Sequence, residues 1–142
     1  MRILGIDYGD VRIGIAVSDL TGMIAQTAGV ISGRDEEKKM AELDGYMKKY
    51  SPETVVLGYP LNMNGSKGER AEKSEKFAEL LREKYGVKVI LWDERLSSMA
   101  AHRTLEEAGV SGKKRKGKVD PIAAAFILQG YLDSILSKNI LT

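Results

Sequence analysis

The chain has 142 residues, of which 43% are hydrophobic and 30% charged, so it resembles an ordinary globular protein with enough residues for one sizeable core. The absence of cysteine and the presence of one histidine exclude a disulfide framework and Cys-rich or His-rich metal sites. No apolar run approaches the roughly 20 residues of a membrane-spanning helix, the N-terminus lacks a signal-peptide pattern, and a net charge of +2 does not by itself indicate nucleic acid. We therefore expect a single cytoplasmic domain, residues 1–142, that does not associate with membranes.

The chain opens with two apolar runs, residues 2–7 and 12–18, which predict two strands joined in a hairpin by the turn at Tyr8-Gly9-Asp10. The first run ends in Asp7. A charge at the edge of a core is costly unless it is paired or bound to a cation, so Asp7 is a candidate site residue. The alternative is an aspartate that only stabilises the turn before a glycine.

The remaining elements alternate between strands and helices. Apolar runs and helical spacing predict a strand at 23–31, a helix from an N-cap at Asp35 to the stop at Pro52, a strand at 54–58, a helix from the capping box Ser66–Glu69 to Gly86, a strand at 87–92, a helix at 97–108 and a last helix that opens at Asp120-Pro121. Glycines and a proline predict loops at 59–68 and 110–118, and the second loop is strongly basic.

The predicted order is β-β-β-α-β-α-β-α-α. Short turns make the first three strands antiparallel, and helical crossovers make the last two strands parallel to the first. The order therefore predicts an α/β fold with a five-stranded mixed sheet and helices on both faces. Ligands of such sheets bind at the carboxyl ends of central strands, where Asp7, the loop after Gly58, and either Asp93 or Glu94 are expected. Asp93 and Glu94 would face opposite sides of the sheet, and the sequence does not decide between them.

Four blocks of the sequence together resemble the YqgF/RuvX family: GIDYGDVRIGIAVSD, VVLGYPLNMNGS, LWDERLS and VDPIAAAFILQGYL. Members of this family are described as Holliday-junction-resolvase-like proteins and as nucleases for the 5′ end of pre-16S rRNA. The resemblance covers nearly the whole chain and implies an RNase H-like fold, which agrees with the element order reached from the residues. It also implies a role in ribosome biogenesis, with RNA favoured over DNA and with the pre-ribosomal particle as a partner.

The resemblance assigns the catalytic and metal-binding roles to Asp7, Glu94 and Asp120, with Mg²⁺ or Mn²⁺ as the cofactor. Carboxylates of RNase H-like nucleases hold two divalent cations that activate water and stabilise the leaving oxygen. For Asp120, an N-cap role is an alternative that an Asp-Pro pair fits well. The resulting hypothesis is metal-assisted hydrolysis of a phosphodiester.

Several other residues are candidates for binding the substrate. Arginine presents a planar fork of donors to phosphate, and the alternative is a surface or carboxylate-paired arginine. The asparagines at 62 and 64 lie in a loop before a predicted helix N-terminus, where anions are favoured, although they could simply cap the loop. The basic segment before Asp120 is suited to a nucleic-acid backbone, and its alternative is a solvated loop. These substrate-binding candidates are Arg12, Asn62, Asn64, Arg95, Lys113, Lys114, Arg115 and Lys116.

The sequence also departs from stronger nucleases of this fold. Strand four ends in Leu57-Gly58-Tyr59 without an acid, and Ala123 and Ala124 replace a further acid of true junction resolvases. The missing acid and the basic loop suit a non-catalytic nucleic-acid-binding module. Two further alternatives are a Holliday-junction-type DNA resolvase and a fragment of an actin-like sugar kinase or chaperone ATPase, whose folds share the element order and open with a similar G-x-D-x-G loop. Binding without cleavage would indicate the module, and stabilisation by ATP would indicate the kinase. The sequence leaves open whether the protein is a monomer or a homodimer.

Overall fold

A computed structural model describes residues 2–93 and 112–141, including the side chains of 2–93 and 121–136. The strands are β1 (Ile3–Tyr8), β2 (Arg12–Ser18), β3 (Ala25–Ser32), β4 (Thr54–Tyr59) and β5 (Lys88–Asp93). The helices among these residues are α1 (Glu36–Tyr50), α2 (Glu69–Tyr85) and α3 (Gly112–Leu141). The helix predicted at 97–108 lies outside the described residues.

The five strands form one sheet in the order β3-β2-β1-β4-β5. β1 pairs antiparallel with β2, and β2 pairs antiparallel with β3. β4 is parallel to β1, and β5 is parallel to β4. The predicted mixed sheet is therefore confirmed, because hairpin turns reverse the chain between the first three strands and helices return it in the same direction afterwards.

Helices cover both faces of the sheet, and each face has its own apolar core. On one face, α1 and α2 pack against alternate residues of the central strands, including Leu4 and Ile6 of β1. On the other face, Ala124 and Leu128 of α3 pack against Ala16 and neighbouring sheet residues. We call these the α1/α2 face and the α3 face. The side-chain alternation of a strand therefore assigns each residue of β1 to one of these two environments.

Helix α1 begins and ends as predicted. The Asp35 carboxylate accepts hydrogen bonds from the backbone amides of Glu37 at 3.0 Å and Lys38 at 3.3 Å, so Asp35 is the N-cap. Leu43 and Met47, four residues apart on one face of the helix, are buried. Gly86 closes α2 with φ of 65°, the left-handed conformation that glycine adopts without strain.

The prediction that a Ser66–Glu69 capping box opens α2 is wrong. The helix begins at Glu69, its N-cap is Gly68, and no side chain caps it. Ser66 is too far ahead of the helix to cap it, and its hydroxyl donates instead to Asn64 Oδ1 at 2.6 Å. The short polar side chains of the loop thus bond to one another rather than to the helix.

The prediction of a basic loop at 110–118, followed by a helix opening at Asp120, is also wrong for the described residues. Helix α3 begins at Gly112 and contains Pro121, so Asp120 lies inside the helix and is not its N-cap. Lysine and arginine are strong helix formers, and five of them stand between residues 113 and 118. This propensity favours a helix across the segment, although the helix also contains Gly117 and Pro121, which disfavour it. The C-terminal residues 138–141 are helical.

Among the helices that the structure describes, none combines the length and apolar character needed to span a lipid bilayer.

Candidate active site

Asp7 lies one residue before the carboxyl end of β1, on the α3 face of the sheet. Its neighbours Ile6 and Tyr8 pack into the core on the α1/α2 face. Strand alternation therefore turns Asp7 to the opposite side, which it shares with Gly5. The side chain is half-buried, at the rim of the α3 core rather than inside it.

Asp7 is flanked by glycines on both neighbouring strands. It pairs with Gly14 of β2. Ile6 pairs with Leu57 of β4, and the same register continued by one residue brings Gly58 level with Asp7. Neither lateral neighbour contributes a side chain, which is typical of a strand position that a ligand or another backbone approaches closely.

Arg12 is a diagonal neighbour of Asp7 on the same face. It begins β2, two residues before Gly14, and its carbonyl accepts a hydrogen bond from the Gly9 amide at 2.8 Å across the hairpin turn. Diagonal positions on one face of an antiparallel pair lie about 7–8 Å apart, within reach of a long side chain. The register therefore places Arg12 within side-chain reach of Asp7, and a phosphate contact by Arg12 stays a prediction.

Helix α3 runs diagonally over this face, with its N-terminal half toward Asp7. The Gln129 side chain accepts a hydrogen bond from the Ala25 amide at 2.8 Å, at the beginning of β3. Ala124 lies over Gly5, further toward the carboxyl end of β1. The helix segment from Gln129 back to Ala124 therefore runs along the sheet in the direction of Asp7.

The backbone of Asp120 lies one helical turn before Ala124, about 6 Å along the helix axis. Asp7 lies two residues beyond Gly5, about 6.6 Å along the strand. The two predicted acids are therefore displaced in the same direction from the point where α3 crosses β1. Glu94 and Arg95, which directly follow β5, lie outside the described residues.

Asp93 belongs to the other face. It pairs with Tyr59 of β4 and continues the alternation of Leu91, which packs against the core on the α1/α2 side. Trp92 packs on the α3 side. Asp93 is therefore at the same end of the sheet as Asp7 but on the opposite side, so the structure does not bring these two acids together.

Two lysines that the sequence analysis did not single out hold the turn after Asp7. Lys39 of α1 is buried, and its Nζ donates to the Asp10 carbonyl at 3.0 Å. Lys73 of α2 forms an ion pair with Asp10 Oδ1 at 3.1 Å, and this hydrogen bond raises the pKa of Lys73. Two helices on the same face of the sheet thus each contribute one lysine contact to Asp10. The spacing of Lys39, Leu43 and Met47 at four-residue intervals could have revealed that Lys39 shares the buried stripe of α1.

The Tyr8 ring adds an apolar contact to the same turn. It stacks on Phe77 of α2 with ring centroids 4.1 Å apart and an interplanar angle of 10°. Burial of the ring, followed by the charge of Glu36, raises the pKa of the Tyr8 hydroxyl. The residue after Asp7 is therefore held by stacking, and this limits the movement of the strand end.

Asn62 and Asn64 lie in the loop after β4, and both use their side chains within that loop. Asn62 Nδ2 donates to Ser66 Oγ at 3.0 Å, and Asn64 Oδ1 accepts from the Ser66 amide at 3.0 Å. The Gly65 amide closes the turn by donating to the Asn62 carbonyl at 2.8 Å. The structure thus shows the loop-shaping role, and phosphate contact by these asparagines stays a prediction.

The basic segment at 113–116 occupies the first turns of α3 as backbone helix. It precedes Asp120 on the same element, so the helix that carries the predicted acid also carries four consecutive basic residues. Within the described part of the chain, no three side chains of His, Cys, Asp or Glu form a metal-binding group. The side chains of Glu94 and Asp120 are not among those described. The donor chemistry of Asp7 fits a hard cation, because Mg²⁺ prefers carboxylate oxygens and retains several waters.

The same five-stranded sheet with helices on both faces occurs in solved structures of junction-resolving enzymes. The structure of Thermus thermophilus RuvC aligns with a TM-score of 0.59 and 15% identity over 96% of this chain and 97% of that chain. The Fowlpox virus resolvase in complex with Holliday junction DNA aligns with a TM-score of 0.56 and 18% identity, covering 96% and 99% of the two chains. These likenesses show that the chain has an RNase H-like fold.

The sequence comparisons identify the family. The model of the family described as "RuvX: Holliday junction resolvase" matches residues 1–134, and the chain belongs to the RuvX family of hydrolytic nucleases. A protein of Desulfitobacterium hafniense (strain DCB-2), named "Putative pre-16S rRNA nuclease", is 52% identical over 139 residues, which cover 98% of this chain and 96% of that protein. A protein of Halothermothrix orenii with the same name is 50% identical over 133 residues, covering 94% and 95%. The predicted family and fold are confirmed.

Proposed function

We propose that this chain is a cytoplasmic, divalent-metal-dependent phosphodiesterase that processes the 5′ end of pre-16S rRNA, acting as a single domain over residues 1–142. Its relatives at about half identity over nearly the whole chain carry the name of a pre-16S rRNA nuclease. The partner is then RNA within a pre-ribosomal particle. A monomer suffices for trimming, whereas junction resolution requires a symmetric dimer.

The observation that carries the proposal is the position of Asp7. A half-buried carboxylate stands at the carboxyl end of a central strand, between two glycines, beneath the helix that contains Asp120. Ligands of open α/β sheets bind at this end. Asp7, Glu94 and Asp120 would hold Mg²⁺ or Mn²⁺, which supplies activation of a water and stabilisation of the leaving oxygen when bound.

The protein's own residues position the metal ligands and supply positive charge for the substrate's phosphates. Asp7 contributes oxygen ligands from a strand end that Lys39 and the Tyr8–Phe77 stack hold in place. Arg12, on the same face, can present its guanidinium fork to the phosphate. The basic residues at 113–116 contribute attraction to the nucleic-acid backbone, which positions the substrate without reading its sequence.

A second candidate is cleavage of a four-way DNA junction. The description of the matching family and the fold shared with the Fowlpox virus resolvase favour it. A third candidate is a non-catalytic nucleic-acid-binding module, which the glycine at the end of β4 favours because it supplies no acid beside Asp7.

The decisive experiment is cleavage of a labelled 5′ fragment of pre-16S rRNA, with a synthetic four-way DNA junction in parallel, in Mg²⁺, Mn²⁺ or EDTA. Asp7→Asn should abolish metal-dependent RNA cleavage. Asp93→Asn is the matched control, because this acid lies at the same end of the sheet on the opposite face and should leave cleavage unchanged. Cleavage that survives in Asp7→Asn would refute the proposal.

The same cleavage assays also identify the class of substrate. Cleavage of the junction in place of the RNA would assign the protein to recombination. Binding of RNA without any cleavage would assign it to the non-catalytic module.

The role of the basic segment is tested by salt dependence. Replacing the three lysines of the segment, at positions 113, 114 and 116, together with Lys118 by Gln should weaken RNA binding. The plot of log affinity against log salt should flatten by about 0.7 for each single-strand phosphate that the lysines no longer neutralise. An unchanged slope would show that the segment does not bind the RNA backbone.

A further inference from the structure

Helix α3 touches β1 so closely at Gly5 that no side chain fits between them. A Cβ built on Gly5 would lie 2.7 Å from Leu128 Cβ and 2.8 Å from the Ala124 carbonyl oxygen. Carbon atoms in contact are normally about 3.5–4.0 Å apart. The obstructing atoms belong to the helix backbone and to the first atom of a side chain, so no rotamer change can relieve the clash.

Gly5 is not required by the backbone conformation. The glycines with positive φ in the described chain are Gly22, Gly33, Gly65 and Gly86, and Gly5 is not among them. Any residue could therefore adopt the strand conformation at this position. What the glycine provides is the missing side chain, and thus the depth at which α3 rests on the sheet.

Both predicted acids lie on the same side of the contact between α3 and Gly5. Asp7 is two residues further along β1, and Asp120 is one turn earlier on α3 than Ala124. A side chain at Gly5 must raise the helix by about 0.8 Å or more to restore a normal carbon–carbon contact. Metal ligands must hold their distances within about 0.2 Å. A displacement of that size at the crossing point exceeds this tolerance.

We infer that Gly5 is a positioning residue for metal binding, because its close contact with Ala124 and Leu128 sets the separation between Asp7 on the sheet and Asp120 on the helix. This inference rests on the proposed function, in which those two acids share the metal site. It adds that cation selectivity is set by helix depth. Mg²⁺ demands near-ideal octahedral geometry at about 2.0–2.1 Å, whereas Ca²⁺ accepts flexible geometry at about 2.3–2.6 Å.

The test compares Mg²⁺ and Ca²⁺ binding to Gly5→Ala and to the wild type. Binding is measured without substrate, from the rise in melting temperature with metal concentration, since a ligand that binds only the native state adds RT ln(1 + [ligand]/Kd) to its stability. Gly5→Ala should raise the Mg²⁺ Kd obtained from this rise by about tenfold or more, as loss of supporting structure around a metal does. The Ca²⁺ value should rise by less than about threefold, because Ca²⁺ tolerates longer ligand distances.

The matched control is Gly130→Ala, on the same helix and facing the same sheet. Its Cβ would lie 3.1 Å from Trp92 Nε1, the outer part of a side chain that can move aside. This variant should bind both metals as the wild type does. Ala124→Val is a second substitution that adds bulk between α3 and the sheet, because it adds two methyl groups at a fully buried position of the helix. It should reproduce the loss of Mg²⁺ selectivity and decides the question if Gly5→Ala does not fold.

The outcomes separate this inference from the function beneath it. The role of Gly5 is overturned, while the metal site stands, if a folded Gly5→Ala or Ala124→Val variant binds Mg²⁺ and Ca²⁺ as the wild type does. It is also overturned if both metals are weakened equally. If Asp7→Asn binds both metals as well as the wild type, or if the wild type binds neither, the proposed function fails and this inference fails with it.

Discussion

The buried Lys39 offers a sharp test of how the turn after Asp7 is held. Its side chain is 2% exposed, and its ammonium donates to the Asp10 carbonyl at 3.0 Å while also pairing with Glu36 Oε1 at 3.0 Å. Lys39→Met retains most of the apolar stem and removes the charge. The variant therefore isolates the polar contacts from the packing.

The two contacts differ greatly in expected magnitude. Glu36 is 72% exposed, so solvent screens its ion pair and the pair contributes at most about 0.5 kcal/mol. The hydrogen bond to the carbonyl involves a charged donor and is partly shielded from water, and such bonds contribute about 1.5–3 kcal/mol. Lys39→Met should therefore lower the free energy of unfolding by about 1–3 kcal/mol, which corresponds to a fall in melting temperature of about 3–9 °C.

The assay is urea unfolding of the wild type, Lys39→Met and the matched control Glu36→Gln. Glu36→Gln should change the free energy of unfolding by less than about 0.5 kcal/mol. The reasoning is refuted if Lys39→Met is as stable as the wild type. It is also refuted if Glu36→Gln costs as much as Lys39→Met, because the stabilisation would then come from the ion pair.

Two further predictions concern helices α1 and α2. Hydrogen bonds from the Tyr85 hydroxyl and from Lys84 lower the pKa of Asp44, so its contribution to stability is present above about pH 4 and is lost as the pH falls through the lowered pKa. The urea midpoints of wild type and Asp44→Asn should therefore converge as the pH falls from about 5 to 2, and a constant gap would contradict the linkage. Gly86→Ala, which forces a side chain into the left-handed C-cap at φ of 65°, should destabilise the protein by about 1 kcal/mol. Gly45→Ala, in an open position within α1, should stabilise it by up to about 1 kcal/mol in the same unfolding assay, and equal effects of the two alanines would rule out the conformational argument.

The topology could be predicted because local patterns determine it. Short turns and helical crossovers fix the strand directions, and the signals at Asp35 and Gly86 mark helix ends through contacts made within a few residues. Predictions failed where local signals competed. At the start of α3, the glycines and Pro121 predicted a break, while the helix propensity of the basic residues favoured continuation.

The candidate site was predictable only in part. Asp7 could be identified because a charge at the end of an apolar strand is unusual. The four-residue spacing of α1 indicates that Lys39 is buried, but it does not show the carbonyl 29 residues away to which Lys39 donates. The role of Gly5 depends on a helix more than a hundred residues away and has no local signature. Likewise, Asp93 could be separated from the Asp7 side only once the strand register had fixed which face it occupies.

The contacts of Lys39 and Lys73 with Asp10 also bear on the stage of protein synthesis at which the candidate site can form. Lys39 and Lys73 contact Asp10 in the turn, and Ala124 and Leu128 set how closely α3 packs on the sheet. All four residues are synthesised after β1. A nascent chain emerges from the ribosome with its N-terminus first. Asp7 therefore emerges long before the residues that position it. In the proposed function, the metal site is therefore complete only after helix α3 has been synthesised and has packed against the first strand.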